Sequence, residues 1–114
     1  MANLAIRLQP ETVRVLGFAG IGAAYVAVGT AISNPSRIFI LNNLTDADLM
    51  FSFDGVNDHI AIAGPGSFVL DITSNKGVEG GLFLARGTTI FVKEIDIPTL
   101  GAVYISTFFG DRGF

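Results

Sequence analysis

The sequence predicts an all-β chain: an antiparallel β-sandwich, jelly-roll-like, of about eight strands. Three observations predict it. Between Leu49 and Ile62, Leu49, Phe51 and Phe53 alternate with Met50, Ser52 and Asp54, and the alternation resumes at Ile60 and Ile62. A period of two puts every second side chain on one face, so this stretch reads strand, turn, strand. Clusters of Gly, Pro, Asn, Asp and Ser recur at the short intervals expected of a sandwich or barrel. No window of helical length carries a convincing 3.6-residue apolar stripe.

Taken in order, Leu4, Ile6 and Leu8 alternate, which makes residues 1–10 an N-terminal arm able to add as a strand to a sheet edge, its own or a neighbour's. Candidate strands follow at 12–18, 23–29, 36–42, 48–54, 59–63, 67–73, 82–85, 89–96 and 101–109 within a single domain spanning 11–109. Asp54-Gly55 supplies residue types that tolerate a positive φ in a tight reversal. The segment from Leu44 to Asp48 has room for a helical turn and no more. Phe68, Leu70 and Ile72 form one face of their strand, and Val103, Ile105 and Thr107 one face of theirs. Ile38-Phe39-Ile40-Leu41 and Phe108-Phe109 are apolar on both faces, although a sandwich has one interior. A neighbouring subunit covering the second face accounts for that, and residues 110–114 complete the chain as a tail.

Val15 to Ile32 carries no charge and is close to the minimum length of a membrane-spanning helix. Its glycines (Gly17, Gly20, Gly22 and Gly29), its scarcity of leucine and the alternation of Val26 with Val28 favour two buried strands joined by a Gly-rich turn near Gly20-Ile21-Gly22. No membrane association is expected, and the first residues lack the pattern of a secretion signal.

The 114 residues suffice for one domain with a modest core. Half are hydrophobic and 15% charged, against about 25% charged in an ordinary soluble domain. So few charges point to apolar surface hidden against other molecules, first of all further copies of the chain. A net charge of −3 with dispersed Lys and Arg gives no electrostatic footprint for nucleic acid. With no cysteine, disulfides and thiolate metal sites are excluded.

Candidate chemistry is sparse. His59 is the single histidine, too few for a cupin-type metal site. No Gly-x-Ser-x-Gly elbow accompanies it, so no catalytic residue is assigned. Asp46, Asp48, Asp54, Asn57 and Asp58 are oxygen donors close in sequence, but they fit no EF-hand and turns select Asp and Asn for backbone reasons. Glu79-Gly80-Gly81 reads as a turn rather than a phosphate cradle. Neither a cofactor nor a metal is expected.

Several phrases carry a resemblance: Ile38-Phe39-Ile40-Leu41-Asn42-Asn43-Leu44-Thr45-Asp46, Phe51-Ser52-Phe53-Asp54-Gly55-Val56-Asn57-Asp58-His59, Phe68-Val69-Leu70-Asp71-Ile72-Thr73-Ser74-Asn75-Lys76, Ala85-Arg86-Gly87-Thr88 and Pro98-Thr99-Leu100-Gly101-Ala102-Val103-Tyr104-Ile105-Ser106. From about Arg37 onward the chain resembles small β-sandwich structural proteins of tailed bacteriophages, of decoration or head–tail (neck) type. The resemblance implies a non-enzymatic virion subunit, located in the virion, with capsid, portal or tail subunits as partners. A mildly acidic, patch-rich sandwich suits ring stacking and so the head–tail junction. Expected interface anchors are Phe39, Tyr104, Phe108 and Phe109, with Leu4, Ile6 and Leu8 of the arm. The competing expectation is a glycan-binding sandwich assisted by calcium at Asp46, Asp54 or Asp58, weakened because ten Phe and no Trp suit a core better than sugar platforms.

Overall fold

Period-two patterning becomes nine strands in a computed structural model that describes residues 7–71 and 84–111. They are β1 (Arg7–Pro10), β2 (Arg14–Gly17), β3 (Val26–Ala27), β4 (Ser36–Asn43), β5 (Leu49–Ser52), β6 (Ile60–Ile62), β7 (Gly66–Asp71), β8 (Phe91–Glu94) and β9 (Ala102–Asp111). A 3-10 turn, Phe18–Gly20, follows β2, and no α-helix occurs among the described residues. None of their helices is long and apolar enough to cross a membrane. Leu44 to Asp48 is a bend without helix.

The topology is one long hairpin rolled up. Pairing runs back from its tip: β5 with β6, β4 with β7, β3 with β8, β2 with β9. Rolling lays β9 beside β4 and β8 beside β5, all antiparallel. Two sheets result, β2-β9-β4-β7 and β3-β8-β5-β6, packed face to face as a jelly-roll sandwich. The two strands expected from the uncharged segment do form, but they are short and only partly buried, and β2 and β3 lie in different sheets rather than side by side. Of the 82–85 candidate, Leu84 makes a single antiparallel bridge to Ser36, and residues 82 and 83 lie outside the described region.

Both chain ends of the domain extend past the expected boundaries. β1 lies end to end with β2 on the same edge of β9, pairing Arg7 with Asp111 and Pro10 with Phe108. The segment read as an arm is therefore, from Arg7 on, a strand of its own sheet, and residues 110 and 111 belong to β9. Between Pro10 and Arg14 the edge strand carries one residue more than β9 does between Phe108 and Ile105, a bulge at Glu11–Val13. The bulge turns Arg14 inward, where it is buried. Its guanidinium donates to the carbonyls of Thr30 (2.7 Å) and Ala31 (3.0 Å) and to Glu11 (2.9 Å). Burial pushes the Glu11 carboxyl up, but bonds from Arg14, Asn34 and Ser33 outweigh it and hold the group below its ordinary range.

The core is the inward half of each alternation. Phe39 and Leu41 of β4, Val103 and Ile105 of β9, Leu49 and Phe51 of β5 and Val92 of β8 are almost wholly buried, joined by Ile21, Val28, Ile62 and Ile90. Each such side chain contributes about 1.5–3 kcal/mol by leaving water.

Candidate interaction surfaces

Because Phe39, Leu41, Val103 and Ile105 point inward, their alternating neighbours share the opposite face of the five-stranded sheet. The register makes this face continuous: Val15 faces Tyr104, Ile40 faces Ser106 and Val69, and Ile38 faces Phe108. Leu8 and Pro10 extend it, since Pro10 stands opposite Phe108. Val15, Val69 and Leu8 are exposed, and Ile38, Ile40, Tyr104 and Phe108 are half-buried, with no further layer above them among the described residues. Asp71 brings a charge only at a corner.

Of the expected anchors, the fold brings Tyr104, Phe108 and Leu8 to this one face. Phe39 is corrected: it is 1% exposed, a core residue with its ring edge-on to Phe53 at 5.8 Å, and it has no surface to offer a partner. Phe109 points opposite to Phe108 and lines an open recess under the edge-strand bulge with Glu11, Arg14 and Asn34. Leu4 and Ile6 lie outside the described residues.

The outer face of the four-stranded sheet is different. Phe91 there is covered by the β5–β6 loop at Gly55. Lys93 stands 4.7 Å over the Tyr25 ring and pairs with Asp58 at 3.2 Å. The Tyr25 hydroxyl donates to Asp58 as well. Partial burial and that bond push the Tyr25 hydroxyl up to about 12, while the same bond, with Lys93, holds the Asp58 carboxyl low.

The β5–β6 loop is a wound turn of seven residues rather than a tight reversal. Asp54 accepts from the backbone N–H of Val56 and Asn57 (2.8 Å each) and from the Ser52 hydroxyl (2.8 Å), and Gly55 takes φ +77°. Bonds from Asn57 and Val56 hold Asp54 far below the usual carboxylate range. His59 stacks on Phe53 and accepts its N–H through Nδ1 (3.0 Å). Asp46, Asp54 and Asp58 are thus each engaged within the protein, and no group of three or more metal-ligating side chains occurs among the described residues.

A second surface escaped the sequence reading. The ends of β2, β4, β6 and β8 and the starts of β5, β7 and β9 meet at one end of the sandwich, as Asn43 facing Val103 and Gly66, and Leu49 facing Ile62 and Glu94, require. A buried amide organises it: Asn43 donates to the carbonyls of Ala47 (2.9 Å) and Ile62 (3.0 Å) and accepts from Thr45 N–H (3.1 Å) and hydroxyl (2.6 Å). The Asp48 carbonyl accepts from Ile95 and Asp96 (3.1 Å each). Asp46 accepts from Thr99 N–H (2.8 Å) and hydroxyl, and those bonds hold its carboxyl low. Gly101, at φ +90°, lets the β8–β9 loop touch the Leu44 carbonyl, where any Cβ would overlap it. On this framework Phe18, Leu44, Ile95, Ile97 and Leu100 project outward, five of the ten large apolar side chains exposed among the described residues. The available signal was apolar residues inside punctuation: Ile95-Asp96-Ile97-Pro98-Thr99-Leu100 and Leu44 between Asn43 and Thr45.

Comparison with protein-family models, with curated proteins and with solved structures returns no match for the chain.

Proposed function

We propose that the chain is a non-enzymatic structural subunit of a tailed-phage virion, assembled from copies of itself and joined to other virion proteins at the head–tail junction or on the capsid. The observation that carries this reading is the largely apolar outer face of the five-stranded sheet, which no other described element covers; the resemblance in the chain's strand and turn phrases supplies the setting. Four strands side by side at about 4.8 Å, the longest of ten residues at about 3.3 Å each, outline a face of about 600 Å² before the relief of side chains is counted. That approaches the ~800 Å² per partner of a specific interface. The occupant argued for is a second copy: the face is nearly free of charge, so a net charge of −3 per chain does not oppose its pairing with itself.

Mass spectrometry of gradient-purified particles from cells that make this chain tests the setting. Stoichiometric presence supports it; a chain abundant in the lysate and missing from the particles overturns it. Light scattering of the purified chain tests the face. Val69→Glu, on an exposed outward position, lowers the mass to that of a monomer and leaves the melting temperature nearly unchanged. An unaltered oligomer assigns assembly to another surface.

A further inference from the structure

The loop end built on Asn43, Asp46 and Gly101 has no part in the sheet-face contact, yet it concentrates half of the large apolar side chains exposed among the described residues. Single exposed apolar residues are ordinary; a contiguous group on one end marks a contact surface. Ile97 is 74% exposed, with Leu100, Leu44 and Ile95 also exposed around it. The framework holds them ready: Asp46 fixes Thr99, Asp48 fixes Ile95 and Asp96, and the Gly101 contact locks the two loops together. Loops already ordered lose little further entropy on docking, which is the condition for a small apolar tip to bind usefully.

The charges around the tip select its occupant. Asp46, Asp48, Glu94 and Asp96 surround it, and the loops 18–22, 44–48, 63–65 and 95–101 contain no Lys or Arg. Those loops also lack Trp and Tyr. A bilayer-inserting tip uses Trp, Tyr, Lys and Arg at the headgroup level, and anionic headgroups repel carboxylates. An apolar socket ringed by cations on another protein matches both features.

We propose that this end of the sandwich is a plug, with Ile97 and Leu100 as its apolar anchors, that docks into an apolar socket rimmed by Lys and Arg on a different protein. The inference stands on this surface alone and does not require the virion reading: absence from particles would remove that reading and leave this one intact.

The experiment replaces Leu100 with a photo-crosslinking benzoylphenylalanine in the cells that naturally make the chain, with Val56, 78% exposed on the opposite end, as the control position. The expected result is an adduct from position 100 and not from 56, on a protein segment whose apolar residues are flanked by Lys or Arg. Ile97→Ser, at a site too exposed to affect folding, lowers the adduct yield about tenfold, the effect of one lost apolar anchor. No position-specific protein adduct, or one on a segment without Lys or Arg, overturns the proposal. Co-flotation of the purified chain with phosphatidylcholine vesicles, lost in Ile97→Ser, overturns it in favour of lipid.

Discussion

The two ends of the sandwich are each organised by an exposed carboxylate, and they use it in opposite ways. Asp54 binds N–H groups two and three residues ahead, closing its own loop into a self-contained polar turn. Asp46 reaches Thr99 and Leu100, residues from the far side of the topology, and so joins two loops instead of closing one. The first end's β5–β6 loop has satisfied its own groups and, among the described residues, turns out one large apolar side chain, Val56. The second spends its polar groups on joining loops and turns apolar ones outward. One chemical group yields a closed turn where its partners are local and a built surface where they are distant.

That contrast can be broken most directly at Gly101. Gly101→Val places a side chain at φ +90° and into the Leu44 carbonyl, and is expected to cost about 3–5 kcal/mol in urea unfolding. A loss below about 1 kcal/mol would mean that the loops separate cheaply and that the tip is not preorganised. Asn43→Ala comes next. It strips partners from the Ala47 and Ile62 carbonyls and from Thr45 in a fully buried site, an expected loss of about 2–3 kcal/mol. Asp54→Ala, on the self-contained turn, is expected to lower the melting temperature less than Asn43→Ala; the reverse order would make the polar turn the stronger determinant.

The smallest effect is one of acid titration. Both carboxyls are held below the ordinary value, Asp46 first by the Thr99 hydroxyl and Asp54 first by the Asn57 N–H, and Asp54 is the more strongly shifted. A depressed folded value means that stability is fully present above the unfolded carboxylate range, about 3.9, and is lost as pH falls through the folded value. As pH is lowered from 5 to 2, the amide signals of Thr99 and Leu100 should therefore move before those of Val56 and Asn57. The opposite sequence in a proton–nitrogen correlation series would show that the distant clamp is the tighter one.

What could be read in advance follows the same division. β4, β5, β7 and β9 stand where alternation puts them, because each strand signals itself through its own residues. The Asp54-Gly55 turn was legible for the same reason, although its seven-residue length came from side-chain bonds that spacing does not reveal. Ile38-Phe39-Ile40-Leu41 was recognisable as apolar on both faces, but nothing local says which pair points inward. The opposing sheet decides it for Phe39 and Leu41, and a one-residue slip would have exchanged the faces. That β2 and β3 part into different sheets, and that Asp46 meets Thr99, are consequences of the roll-up and have no signature in neighbouring residues. The apolar tip was hidden for this reason: its residues lie in three separate loops.

One feature of the rolled hairpin governs events during synthesis. β9 is the inner strand between the broken edge strand and β4, and it comes after every other described strand. Translation proceeds at about 5–20 residues per second, so β4 waits for seconds with Ile38-Phe39-Ile40-Leu41 unpaired on that side. Through this interval the nascent chain presents an apolar strand edge to any neighbour, the condition under which chains cross-pair on polysomes. Folding of this domain is therefore timed by the emergence of residues 102–111, and a ribosome paused just before them holds a chain that needs a chaperone.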